Sequence, residues 1–194
     1  MQLLAGQGFK EVYNLKGGIK AWLGQTATGP QEMGMIFLTG EETPTDIITL
    51  AYGMEEGLRT FYLSMAESKE ETEVVGVLSK LAEIEERHKE RLFNLYIKID
   101  QGNIDKAQFE KDIVPKVMEG GFTTEEFLEQ NGPALQTVMD VLNVAMMLET
   151  QALDLYLRYS QKTEDKESRT VLHNMADEEK AHLATLGRLI DARA

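Results

Sequence analysis

The 194-residue chain contains no cysteine. That absence excludes disulfides, thiolate zinc sites, iron–sulfur clusters held by this chain and cysteine nucleophiles. Any bound metal must be held by Glu, Asp and His, which are hard to borderline ligands suited to iron, manganese or zinc. Histidine is scarce: there are three, so a site that uses two commits most of the supply. Bases are outnumbered, 20 Lys and Arg against 33 Asp and Glu, for a net charge of −13. Such a chain lacks the basic face that neutralises phosphates, and it suits an anionic membrane surface no better. Neither nucleic acid nor membrane is an expected partner. No apolar run approaches the roughly 20 residues that span a bilayer. The opening MQLLAGQGFK has neither a basic leader nor a long apolar stretch. Both absences lead to the expectation of a cytoplasmic protein.

What is present is ordinary for a globular chain: 42% hydrophobic and 27% charged residues. The length allows one good core with a small appendage. Residues 1–24 differ in texture from the rest, with Gly6, Gly8, Gly17, Gly18 and Gly24 and the only Trp. They read as a short helix, a strand around Glu11–Leu15 and a Gly-Gly turn into Ile19–Leu23. Residues 25–44 read as a linker that carries an apolar patch, Met35–Leu38. Pro44 between two threonines is a helix-start signal. From Thr45 onward the apolar spacing predicts helices at 45–67, 70–100, 133–161 and 165–191. The stretch 101–132 contains two shorter helical pieces, near 105–118 and 123–130. Asn131-Gly132-Pro133 reads as a stop followed by a restart.

An internal repeat organises this helical part. A shift of 94 residues superposes the halves without a gap: Asp46 on Asp140, Glu55 on Glu149, Tyr62 on Tyr156, Glu85 on Glu179 and His88 on His182. Apolar matches are expected between any two amphipathic helices, whereas matched Glu and His among them are not. Glu85 to His88 and Glu179 to His182 are both Glu-x-x-His, and positions i and i+3 share a helix face. In each half a single Glu precedes the motif by 30 residues. Each such Glu lies about as far before its inter-helix turn as the motif lies after it, so at roughly 1.5 Å per residue both reach one height in an antiparallel pair. The long segment between the second and third helices can run the length of a bundle. The fold expected is all-α, a ferritin-like four-helix bundle with one crossover. Its interior would hold two metal ions on Glu55, Glu85, His88, Glu149, Glu179 and His182. Two divalent cations would also cancel four buried carboxylates that otherwise repel one another.

Other polar residues carry less. His173 is nine residues before His182 and falls on the opposite face, so it is expected at the surface. Glu56, Glu83, Glu86, Asp177 and Glu178 are expected to be solvated, with a supporting contact to a ligand His as the alternative for one of them. Tyr62 and Tyr156 are read as core aromatics, or else as hydroxyl donors near the metals. Met139, Met146 and Met147 are read as gap-fillers.

At these residues the chain resembles the rubrerythrin and erythrin group of the ferritin-like superfamily, over about residues 45–191. The resemblance rests on AYGMEEGLRTFY, LAEIEERH, AMMLETQALDLY and MADEEKAH. It implies a non-haem di-iron centre that reduces hydrogen peroxide or dioxygen, with the same six residues at the ligand positions. Two departures follow. The further Glu that rubrerythrins carry three residues after the third-helix ligand is Ala152 here, and the cysteine-rich electron-transfer module is absent. An external electron donor is therefore implied. The alternatives are an iron-handling protein without turnover and a helical module accessory to a sulfurtransferase. Residues 1–24, through LLAGQGFKEVYNLKGGIKAWLG, resemble the C-terminal end of a rhodanese domain. The expectation is a remnant of a rhodanese–erythrin fusion without sulfurtransferase activity of its own. It would pack against a second chain, giving a homodimer or larger assembly, with folding back on its own bundle near Met35–Leu38 as the alternative.

Overall fold

The computed structural model describes residues 38–100, 104–113, 123, 125, 127 and 135–193. The readings made for residues 1–24 and for most of the linker lie outside them. Among the described residues there are five helices: α1 (Pro44–Glu67), α2 (Thr72–Asp100), α3 (Lys106–Asp112), α4 (Val138–Lys162) and α5 (Lys166–Asp191). Four of them, all but α3, are long enough to form a bundle. None is both long and apolar enough to cross a membrane.

The helix starts follow from capping chemistry. At α1 the Thr43 hydroxyl accepts the Asp46 amide, the Asp46 carboxylate accepts the Thr43 amide, and Pro44 fills the first turn, where its missing N–H costs nothing. Thr137 and Asp140 repeat the same box at α4, 94 residues on. The third long helix therefore starts at Val138 rather than at Pro133. The Thr-x-x-Asp pair satisfies two amide donors that Pro133 could not. Asp105 and Asp165 cap α3 and α5 through the amides of Gln108 and Ser168.

Short turns force α1 and α2, and likewise α4 and α5, into antiparallel hairpins. The hairpins close on each other through α1 with α5 and α2 with α4. Residues Leu81 to Arg91 of α2 face His182 to Leu189 of α5, while Arg91 to Lys98 face Asn174 to Glu178. Helices α2 and α5 thus run in opposite directions, so α2 and α4 run the same way and their connection must return along the bundle. Two aromatic anchors mark that return. The Phe109 ring lies 5.0 Å from Tyr52, 5.3 Å from Phe93 and 4.6 Å from Tyr96. The Phe127 ring lies 5.2 Å from Phe61. Tyr52 and Phe61 are about 13 Å apart along α1 at the helical rise.

The core is divided in two. One cluster takes Ile48, Ala51, Tyr52 and Met54 from α1, Leu92 from α2, Ala152, Leu155 and Tyr159 from α4, and Leu172 and Ala176 from α5. The other takes Leu58, Phe61 and Tyr62 from α1, Leu78 and Ala82 from α2, Leu142 and Leu148 from α4, and Leu186 from α5. On each of the four long helices the gap between the clusters is where the predicted Glu and His ligands fall. Met54, Met65 and Met175 are buried core residues, while Met139, Met146 and Met147 are half-buried at its edge. At the entrance to α1, Gly40 has a φ of +103°, a conformation that suits glycine. The amides of Thr39 and Gly40 donate to the Glu42 carboxylate, which also accepts the Tyr159 hydroxyl from α4.

Candidate metal centre

All six predicted residues meet in the layer between the two apolar clusters. They form two groups of one histidine and two carboxylates, Glu55 with Glu85 and His88, and Glu149 with Glu179 and His182. Within each group the candidate ligand atoms lie within 4.8 Å of one another. In the first, His88 Nδ1 is 2.7 Å from Glu85 Oε2 and 3.5 Å from Glu55 Oε2. In the second, His182 Nδ1 is 2.9 Å from Glu179 Oε2 and 3.2 Å from Glu149 Oε2. The short distance in each group is the Glu-x-x-His pair, and the longer one reaches across the hairpin. The imidazoles stack face to face, centroids 3.8 Å apart and 7° from parallel.

Burial makes this arrangement expensive without a cation. Glu85 is 1% exposed, and Glu55, His88 and Glu149 are 4% exposed each. Charges removed from water must be paired or neutralised. Burial pushes the Glu85 carboxyl well above the usual carboxylate range, and the neighbouring Glu55 and Glu149 push it further. Burial opposes the charge on His88, but the hydrogen bonds and attraction of Glu55 and Glu85 prevail and raise it to about 10. Burial likewise opposes ionisation of Glu149; hydrogen bonds from Glu179 and His182 and the charge of both histidines outweigh it and hold it low. Protons thus perform the neutralisation that a metal would otherwise provide.

The residues fit a pair of metal ions. Four carboxylates and two imidazole nitrogens converge, a donor set suited to iron, manganese or zinc. Glu85 Oε1 and His182 Nε2 are buried with no hydrogen-bond partner, so the layer has donor capacity that its own side chains do not use. Ala152, where the resemblance leads to a further Glu, is fully buried among apolar neighbours. No carboxylate enters the layer there.

A model of the rubrerythrin family matches residues 46–131 and 140–194. The chain belongs to the rubrerythrin family. Searches of curated proteins and of solved structures give no match. Both matched segments carry one half of the 94-residue repeat, so the family assignment covers both carboxylate–histidine groups.

The remaining polar residues sort differently. His173, Glu83 and Asp177 are exposed, as the helical spacing predicts. Glu56 and Glu86 are not merely solvated. They bracket Lys89, which is only 5% exposed, with its ammonium 3.0 Å from Glu86 Oε2 and also bonded to Glu56 Oε2. Arg59 and Lys106 complete the cluster at 3.0 and 3.2 Å from Glu86, and this surrounding of cations lowers Glu86 to about 2 despite its partial burial. The cluster lines a cavity of about 710 Å³ that touches none of the six candidate ligands. The i, i+3 pairs Glu56/Arg59 and Glu86/Lys89 were visible in the sequence. Their gathering into one cluster was not, because it needs α1, α2 and α3 to meet.

Proposed function

We propose that this rubrerythrin-family chain is a non-haem di-iron oxidoreductase that reduces hydrogen peroxide, with dioxygen as the alternative oxidant. The observation that carries this reading is the pair of matched carboxylate–histidine groups facing each other in a layer sealed by apolar residues above and below. Glu55, Glu85 and His88 would hold one ion, and Glu149, Glu179 and His182 the other. Bound iron would supply one electron per ion and an open coordination position. Peroxide takes up two electrons and two protons and leaves as two waters.

The chain's own residues contribute position and proton inventory. The two apolar clusters fix the six side chains on rigid helices and keep bulk water away. Glu85 and His88 hold protons without metal and surrender them when a cation arrives. With no cysteine in the chain, the electrons that restore the reduced state come from an external donor.

The decisive experiment is an anaerobic ferrous titration followed by a peroxide pulse, observed by optical and Mössbauer spectroscopy. Two ferrous ions bound per chain, oxidised together with one peroxide consumed, are expected. Iron uptake without peroxide-dependent oxidation would leave an iron-handling protein, and no uptake would leave a helical module.

A further inference from the structure

The repeat places a cleft on either side of the histidine stack, both walled by α2 and α5, and the two are not alike. The first is lined by Leu81, Ile84, Leu186 and Leu189 and touches the candidate ligands His88, Glu149 and His182. The second takes the equivalent positions, with Met175 for Leu81, Glu178 for Ile84, and Leu92 and Leu95 for Leu186 and Leu189. It also collects Asn94, Lys98, Asn174 and Asp177, and it reaches none of the six ligands. Of these two clefts, among the described residues, the first alone reaches candidate ligands, through a largely aliphatic throat of about 180 Å³. At its rim stand Arg87 and Arg91, neither ion-paired among the described residues even though the chain carries a net charge of −13. Arg91 is shared with the second cleft, where it stands near Asp177 and Glu178, whereas Arg87 lines the first cleft and has Ala181 as its repeat mate. At its floor, His182 Nε2 is buried without a hydrogen-bond partner.

We propose that the cleft bounded by Leu81, Ile84, Leu186 and Leu189 is the oxidant's binding cavity and that it accepts a small alkyl hydroperoxide. The inference rests on the peroxide reading above. Hydrogen peroxide alone has no use for an aliphatic wall, whereas an alkyl group removes that wall from water. The volume equals about six waters at roughly 30 Å³ each, which limits the guest to a short or branched chain. Two guanidinium groups at the rim repel divalent cations, so this mouth serves the oxidant rather than the metal. The reaction balances as for peroxide: the O–O bond accepts two electrons from the ferrous pair and two protons, giving an alcohol and water.

The probes are tert-butyl hydroperoxide for the iron-loaded protein and tert-butanol for the zinc-loaded one, which has no redox chemistry. The variants are Leu189→Trp, which fills the throat, and Ile84→Glu, which copies the polar mate position. Asn94→Trp, in the second cleft, is the control. Saturation-transfer NMR should detect tert-butanol on the wild type and the control, and lose it in both throat variants. Stopped-flow oxidation by tert-butyl hydroperoxide should slow about tenfold or more in the throat variants, the range expected when an apolar group loses its pocket. Oxidation by hydrogen peroxide should change far less. A tert-butanol signal that survives Leu189→Trp, or that Asn94→Trp abolishes equally, overturns the proposal. So does an equal slowing for both oxidants. Alcohol binding in the throat without any peroxide reactivity would sink the oxidoreductase reading but keep the cavity. Peroxide reactivity without alcohol binding would do the reverse.

Discussion

Loading the centre with metal should be strongly coupled to pH, and the structure sets the slope. In the metal-free protein burial opposes the His88 charge, yet Glu55 and Glu85 hold its proton and raise it to about 10, against an ordinary value of 6.5. A metal needs the neutral Nδ1, so near neutral pH it must first expel that proton. At about pH 7 the expulsion spans some three pH units, or roughly 4 kcal/mol at 1.36 kcal/mol per unit. Each proton released makes apparent affinity rise about tenfold per pH unit. Glu85, raised by burial and by its carboxylate neighbours, steepens the slope if it surrenders a second proton. Stability of the metal-free protein runs the other way. A group whose folded value is raised stabilises fully below its unfolded value and loses that contribution as pH climbs to the folded one. For His88 the window is 6.5 to about 10. Calorimetric titration with zinc at several values between about pH 6 and pH 8, in buffers of different ionisation enthalpy, counts the protons directly. An affinity that is flat over that range, with no buffer dependence, would refute the argument. His88→Gln should flatten the slope as well as weaken binding.

Three further outcomes are expected. Glu85→Ala and Glu179→Ala should each lose at least one of two bound divalent ions, measured by elemental analysis after gel filtration; undiminished stoichiometry in both would contradict the proposed ligands. Metal should raise the melting temperature over a chelated sample, because binding to the folded state at a hundredfold excess over Kd adds about 2.7 kcal/mol; identical melting curves would argue against a preformed inward-facing site. Phe109 is 3% exposed and touches three aromatic rings from α1 and α2, so Phe109→Ala should cost about 3 kcal/mol in chemical denaturation, whereas a cost below about 1 kcal/mol would mean that it does not anchor the crossover.

The sequence by itself determined the parts governed by helical periodicity and by the repeat. Four long helices, their approximate limits and the convergence of six Glu and His residues in one layer follow from it. A 3.6-residue period fixes which side chains share a face, and a 94-residue repeat picks Glu and His out of an otherwise apolar stripe. The start of α4 was misplaced at Pro133, although Thr137 and Asp140 repeat Thr43 and Asp46 and carried the capping signal. Tertiary structure alone decided what depends on separate helices meeting. Lys89 looks like a surface lysine until α1 packs on α2 and Glu56 and Glu86 close on its ammonium. The stacking of His88 on His182 requires the hairpins to pack at one particular depth. The asymmetry of the two clefts was equally hidden. Ile84 and Glu178 are merely unequal members of a repeat until α2 and α5 are set side by side, and then one cleft has a largely aliphatic wall and the other a polar, mixed-charge one. Local pattern records which way a side chain points along its own helix. What it points at is fixed by the packing of other helices, which no single helix's sequence contains.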